Sequence, residues 1–372
     1  MQNSDSVKQW YEVDNADELD SPALLVYEER VKSNIQLLLK MMPDINLLRP
    51  NVKTNKMAEV CRMMMDAGIG KFKCATIAEA EMLGMIGAPD VLLAYQPVGP
   101  KVLRFINLIK AYPSTKFSCL ADNIFSLEYI NTQAAIHQVV IPVFIDLNVG
   151  MNRTGIKPSD AFELIQKLIN LKNLKLSGLH AYDGHIRDTD LASRKLKCDE
   201  AFSSIESLQQ RLGEEGQRLR IVAGGTPTFP IHAQRGTVEC SPGTFVFSDW
   251  GYKHLLPDEE FDYAALVLTR VISIVDHTTI CTDLGHKSVA AENPLPRVHL
   301  LNAPEAKPVG QSEEHLVLQV EDASQYKTGD ILYGVPVHIC PTVALYNSAN
   351  IIRNNKVADK WNVVARARMI TI

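Results

Sequence analysis

The sequence predicts an α/β fold, a (β/α)8 TIM-type barrel, with a second, all-β domain on its C-terminal side. Two observations predict the barrel. From about residue 45 to 250, short apolar runs rich in β-branched residues alternate with longer amphipathic stretches, and eight such runs can be counted. A third predicts the β domain: after about residue 255, helical periodicity gives way to strand-like runs joined by turns such as RNNK.

In order, the barrel runs are INLLRPNV, GKFKCAT, DVLLAY, KFSCLAD, VIPVFIDL, LKLSGLHAY, LRIVAGG and a weaker one in TVECSPGTFVF. Between them lie KMAEVCRMMMDAG, TIAEAEMLGMIG, KVLRFINLIKAY and PSDAFELIQKLINL, whose apolar residues recur three and four apart, as on one face of a helix. The later strand-like runs are YAALVLTRVISIVDHTTICTDLG, EEHLVLQVED, GDILYGVPVHIC and WNVVARARMITI. The expected domains are therefore residues 24–255, the barrel, and residues 256–372, the β domain, with the N-terminal segment 1–23 joined to the latter.

Composition narrows the partners. The 372 residues, 46% hydrophobic and 22% charged, can bury a large core. A net charge of −5 supplies no basic field for a nucleic acid or an anionic membrane surface, so neither is an expected partner. No apolar run approaches a membrane span, and the polar, acidic start MQNSDSVKQWYEVDNADELD is unlike a signal peptide; the expectation is a cytoplasmic protein. Seven cysteines, odd in number and never in a CxxC pair, signal neither a disulfide framework nor an all-cysteine zinc site.

In such a barrel the reactive groups sit where strands end and the following loops begin. The first run delivers Lys53 in RPNVKTN, a candidate Schiff-base amine; a solvated lysine just past a strand end would read the same way. The fifth leads to Arg153, which can hold an anionic oxygen or simply pair with a surface carboxylate. The sixth ends in HAYDGH, where His180 and Tyr182 are two apart and share a face that can stack on a flat ring, although a buried histidine satisfied by backbone is more common. After the seventh and eighth, AGGTPT and CSPGTF offer backbone N–H groups and the Thr226 and Thr244 hydroxyls, in the loops where barrels bind phosphate. In VPVHICPTV, His338 and Cys340 would share one face of a strand and could both reach a borderline metal; an alternating half-buried strand also gives His-x-Cys.

At these residues the chain resembles the D-threonine aldolase and D-serine dehydratase family, within the alanine-racemase-like, fold type III pyridoxal-phosphate enzymes. The likeness runs from SPALLVY to the C-terminus through LRPNVKTNK, KCATIAEAE, LLAYQPVGP, DLNVGMNRTG, GLHAYDGH, AGGTPT, ECSPGTFVF, CTDLGHK and VHICPTVALY. It implies that Lys53 is the Schiff-base lysine, that Arg153 contacts the cofactor's phenolic oxygen, and that His180 and Tyr182 contact its ring. It makes Gly224, Gly225, Thr226, Gly243 and Thr244 the phosphate cup. His338 with Cys340 resembles the divalent-metal site, with Cys340 favouring zinc over manganese or magnesium.

One departure stands out: the family often has histidines where this chain has Asn51 and Asn55. The implied reaction is cleavage of a D-3-hydroxy amino acid to glycine and an aldehyde; His185 is the candidate base for the β-hydroxyl proton. If Lys53 instead removes the α proton, the outcome is dehydration of D-serine or 3-hydroxyaspartate. A racemase or a non-enzymatic cofactor carrier would share the barrel and Lys53. The resemblance also implies a homodimer.

Overall fold

Runs such as VLL, CLA and IVA are apolar on both faces, and each is separated from the next by a helix, so they pair in parallel and are buried on both sides. The computed structural model describes residues 8–372. After β1 (Ala23–Tyr27), the chain lays down β2 (Lys71–Cys74), β3 (Asp90–Leu93), β4 (Lys116–Ala121), β5 (Ile141–Asp146), β6 (Leu174–Ala181), β7 (Arg220–Ala223) and β8 (Val238–Cys240). β2 to β8 form one parallel sheet in sequential order. Polar caps start several of the intervening helices: Thr76, Asn123 and Asp190 each accept from a backbone N–H three residues on.

The first barrel run, INLLRPNV, departs from expectation. Residues 45–47 make a single 3-10 turn, and Arg49 and Pro50 allow no regular strand. Residues 48–51 nevertheless bridge both edges of the sheet, with Leu48 paired to Cys240 and Asn51 to Lys73. Arg49 N–H donates to Cys240 O (2.8 Å) and Val52 N–H to Lys73 O (2.9 Å), so the ring of eight closes. The eighth run is shorter than expected: β8 ends at Cys240, and Thr244–Val246 is a 3-10 turn.

Inward side chains stack in layers. On the floor, Arg49 binds Glu239 and Asp90, each at 2.7 Å, while Lys71 also holds Glu239 (2.5 Å) and Arg220 holds Asp90 (3.3 Å). Above them Leu92, Leu120, Phe144 and Val222 form an apolar layer. The upper layer is polar and forms the site described below.

The described residues divide into two compact units, and the division is less simple than 24–255 and 256–372. The barrel unit comprises residues 35–245, 255–260 and 364–372; the β unit comprises residues up to 34, 246–254 and 261–363. β1 belongs to the β unit because ALLVY, buried at every position, is a central strand there, between β9 (Ala265–Asp276) and a later strand. WNVVARARMITI, expected as a strand, ends its strand at Asn362. Its last residues join the barrel unit, where Ala365 N–H donates to Lys56 O and Thr371 N–H to the buried Glu81 carboxylate (2.9 Å).

The β unit continues with β10 (Thr279–Thr282), β11 (Val298–Leu300), β12 (Lys307–Gln311), β13 (Leu316–Gln319), β14 (Ile331–Pro336), β15 (Ser348–Arg353) and β16 (Lys356–Asn362). Its sheet runs β12-β13-β10-β9-β1-β15-β16, with β14 also paired to β9 and β11 to β14. Alternate residues of β9 serve two cores: Val267 and Val271 pack with Ile280 and Leu316, Leu266 and Leu268 with Tyr11 and Leu25. Among the described residues no helix is long and apolar enough to cross a membrane.

The floor yields a stability prediction. Burial alone would raise the Asp90 and Glu239 carboxyls, but Arg49 outweighs it and holds both below their ordinary values. Their contribution is thus fully present above about pH 5 and is lost as pH falls through the lowered range. Glu239→Ala leaves part of a fully buried guanidinium without a partner and is expected to cost about 3–5 kcal/mol at pH 7 in urea unfolding, less in acid.

Candidate active site

Lys53 is held by a short, heavily tied turn. Its N–H donates to Asn51 Oδ1 (3.1 Å), and Asn55 Oδ1 accepts the Met57 N–H (3.0 Å), so the two asparagines fix backbone on either side of the lysine. Lys56, in the left-handed region at φ 54°, closes the turn through Val52 O and is anchored by an ion pair to the buried Glu79.

Lys53 opens into a cavity of about 740 Å3, also lined by Lys73, Gln96, Asp122, Arg153, His180, Tyr182 and Arg368. Three cations surround the Tyr182 ring: Lys53 Nζ at 5.7 Å, Lys73 Nζ at 5.5 Å and Arg153 Cζ at 5.0 Å from its centroid. His180 Nδ1 lies 2.7 Å from Asp146 Oδ1, and Asp146 also accepts from Gln96 and Thr154, each at 2.8 Å. Burial outweighs Asp146 and lowers His180 from its ordinary value, assisted by the Lys73 and Arg153 charges, so the ring is neutral near pH 7. With Nδ1 engaged by the carboxylate, the buried Nε2 has no partner among the described residues.

The loops after β7 and β8 converge. Gly243 and Thr244 N–H groups point at Thr226 Oγ1, at 3.3 and 3.2 Å, and Gly225 N–H at Thr228 Oγ1. Two glycines are required by this geometry. Gly224 has φ +75°, and a Cβ on Gly243 would stand 2.9 Å from Asn51 O, the residue that shapes the Lys53 turn. Residues 224–226 and 243–244 therefore form a backbone-rich cradle beside Tyr182 and Asn51, suited to a phosphate.

His185 stands apart from the other barrel residues singled out in the sequence. It is exposed and is not among the cavity's lining residues, and its ring fills the space over Gly150, where a Cβ would lie 2.7 Å from Nε2. The neighbouring Asp183 anchors a fully buried network, accepting from Thr228 Oγ1 and His232 Nε2, each at 2.8 Å. Cys198 Sγ lies 3.3 Å from His232 Nε2. Asp183, Cys198 and His232 have metal-ligand chemistry, but Arg235 Nε–H reaches His232 Nδ1, so Nε2 carries the proton that binds Asp183; hydrogen bonds account for the cluster.

His338 and Cys340 lie in the β unit, and not on a strand. β14 ends at Pro336, and Ile339–Val343 turns into a short helix because Asp249 Oδ2 takes the Ile339 N–H at 3.1 Å. The helical turn still brings the His338 ring and the Cys340 thiol into hydrogen-bond contact. Glu292 Oε1 lies 2.5 Å from His338 Nδ1, which fixes the orientation of the ring.

Sequence reasoning missed Lys73, Asp146, Gln96 and Glu292. Lys73 carried the same signal as Lys53, a lysine inside an apolar run; Asp146 was a carboxylate at a strand end. Gln96 and Glu292 lie in loops with no readable pattern.

The family model of the alanine racemase N-terminal domain matches residues 26–249, and that of a serine dehydratase domain matches residues 264–352. Over 357 residues the chain is 26% identical to a D-threonine aldolase of an Arthrobacter species, covering 94% of this chain and 93% of that protein. It is also 26% identical to a 3-hydroxy-D-aspartate aldolase of Paracoccus denitrificans over 366 residues, 94% of this chain and 93% of that one. The crystal structure of a D-threonine aldolase from Filomicrobium marinum matches with a TM-score of 0.87 at 25% identity, over 94% of this chain and 96% of the other. The chain belongs to the alanine-racemase-like, fold type III family of pyridoxal-phosphate enzymes, in the group that contains the D-threonine aldolases and D-serine dehydratases.

Proposed function

We propose that the chain is a pyridoxal-phosphate- and divalent-metal-dependent lyase that cleaves D-3-hydroxy amino acids, as D-threonine aldolases do, to glycine and an aldehyde. The observation that carries this reading is the gathering of Lys53, Arg153, His180 and Tyr182 around one cavity, in a chain aligned with a D-threonine aldolase over nearly its full length. The residues fit the cofactor: the cavity carries several cations, the His180 Nε2 is orphaned, and Cβ atoms on Gly225 and Gly243 would crowd Tyr182 and Asn51 beside the cradle.

Lys53 would hold the cofactor covalently, residues 224–226 and 243–244 its phosphate, and Arg153 its ring oxygen. Bound there, the cofactor supplies an electron sink that makes bonds to the amino acid's Cα breakable. Asp146 fixes the His180 ring, and neutral His180 and Tyr182 orient the flat ligand. His185, three residues beyond Tyr182, is proposed to take the β-hydroxyl proton. His338 and Cys340 would hold a divalent ion, whose chemistry there would be to polarise a hydroxyl; imidazole and thiolate favour zinc.

The serine dehydratase match over residues 264–352 favours a second reading, in which Lys53 removes the α proton and the hydroxyl leaves. We also read the protein as cytoplasmic, since none of its seven cysteines is disulfide-bonded, and, from the family resemblance, as a homodimer.

Three measurements test this. With cofactor added, the wild type is expected to show an absorbance band that borohydride abolishes, leaving a covalent adduct, and Lys53→Ala is expected to lose both; an unchanged adduct overturns the assignment. D-threonine should yield acetaldehyde and glycine, whereas pyruvate from D-serine without acetaldehyde from D-threonine selects the dehydratase. By chelator competition, Glu292→Gln should weaken divalent-metal affinity about 10–100-fold, because His338 loses the carboxylate that orients it.

A further inference from the structure

Lys73 is the second lysine of the Lys53 cavity, and the roles assigned above leave it idle. It lies on β2 with Lys71 two positions earlier; Lys71 is spent on Glu239 in the barrel floor, while Lys73 reaches the layer above. Lys73 is 3% exposed, yet among the described residues it forms no ion pair with a carboxylate. Its Nζ shares the Tyr182 ring with Lys53 and Arg153. The acidic groups facing it are already taken: Asp146 by His180, Gln96 and Thr154, and Asp183 by His232 and Thr228. A buried ammonium next to like charges is costly unless an anion joins it.

We propose that Lys73 is an anion-binding residue of this site, which with Arg153 receives an anionic oxygen of the bound ligand, either the cofactor's ring oxygen or the substrate's carboxylate. The inference rests on the cofactor reading of the same cavity. It explains why a lysine without a carboxylate partner is buried beside Tyr182, and it gives the site a sensor for ligand charge. Burial above all, with Lys53 and Arg153 beside it, lowers Lys73 to about 7 against the opposing pull of Asp183 and Asp146. Of its other titratable neighbours, His180 is held neutral, the Cys240 thiol is pushed up by burial, and the Tyr182 ring lies beside its Nζ. The arriving anion would therefore draw a proton onto Lys73 whenever the free site is above neutral pH.

Calorimetric titration in buffers of different ionisation enthalpy reads that proton directly, without turnover. The first titration adds 4′-deoxypyridoxine 5′-phosphate, which lacks the aldehyde that reacts with Lys53, to cofactor-free protein. The second adds D-lactate, a carboxylate without the reacting amine, to the cofactor-loaded protein. At pH 8 the wild type is expected to take up about 0.9 proton more than Lys73→Met, falling to about 0.1 at pH 6, because a group titrating at about 7 is already protonated there. Uptake in the first titration assigns the ring oxygen; uptake confined to the second assigns the substrate carboxylate. Equal uptake by wild type and Lys73→Met in both titrations overturns the proposal, and Lys73→Gln, measured alongside, decides if the methionine variant does not fold. Failure of the cofactor reading looks different: the wild type would then bind no analogue and leave no borohydride adduct.

Discussion

Closure of the barrel hangs on residues 48–51, a stretch too irregular to be a strand. Only bridges and a few backbone hydrogen bonds join it to β8 on one side and β2 on the other. The fully buried Arg49 supplements them by gripping Glu239 from β8 and Asp90 from β3, so side-chain electrostatics replace part of the missing ladder. Lys53 comes four residues after Arg49. The same contacts that close the ring therefore set where its amine emerges, and Gly243 has to be a glycine because Asn51 passes so close.

Along the barrel interior the charge balance changes with depth. The floor pairs Arg49, Lys71 and Arg220 against Asp90 and Glu239, so that each charge meets an opposite one, and Leu92, Leu120, Phe144 and Val222 form the apolar layer above it. The upper layer is not balanced in this way. Lys53, Lys73, Arg153 and Arg368 line the cavity with, among the described residues, a single carboxylate, Asp122, which accepts from Gln96 and the Gly155 N–H, while the adjoining Asp146 is committed to orienting His180. Such a surplus is tolerable where an anionic ligand completes it, as a phosphorylated cofactor and a carboxylate substrate would under the proposed function.

In the β unit the metal-binding candidates depend on a strand that stops. Had β14 continued through Cys340, His338 and that thiol would have lain on one face of a flat ribbon. Asp249 instead captures the Ile339 N–H and turns the backbone into a short helix. Burial raises the Asp249 carboxyl to about 6, so its charge is retained near neutral pH, where it also accepts the Tyr252 N–H. Glu292 then sets the His338 ring.

The alternating β and α units, the change of texture near residue 255, and the residues Lys53, Arg153, His180 and Tyr182 were legible in the sequence, because apolar periodicity and strand-end position are local properties. The glycine loops were legible for the same reason. Other features depended on contacts between segments far apart in the chain. β1 reads like any buried strand, and only its pairing with β9 and β15 assigns it to the β unit; the tail beyond Asn362 looks like a strand, but Glu81 and Lys56 hold it on the barrel unit. Lys73 and Lys53 are equally plain lysines in apolar runs. The strand period of two puts Lys71 and Lys73 on one face of β2, whereas only the tertiary structure decided that Lys71 finds Glu239 and that Lys73, among the described residues, forms no ion pair, because partner choice depends on which side chains other strands deliver to the same layer.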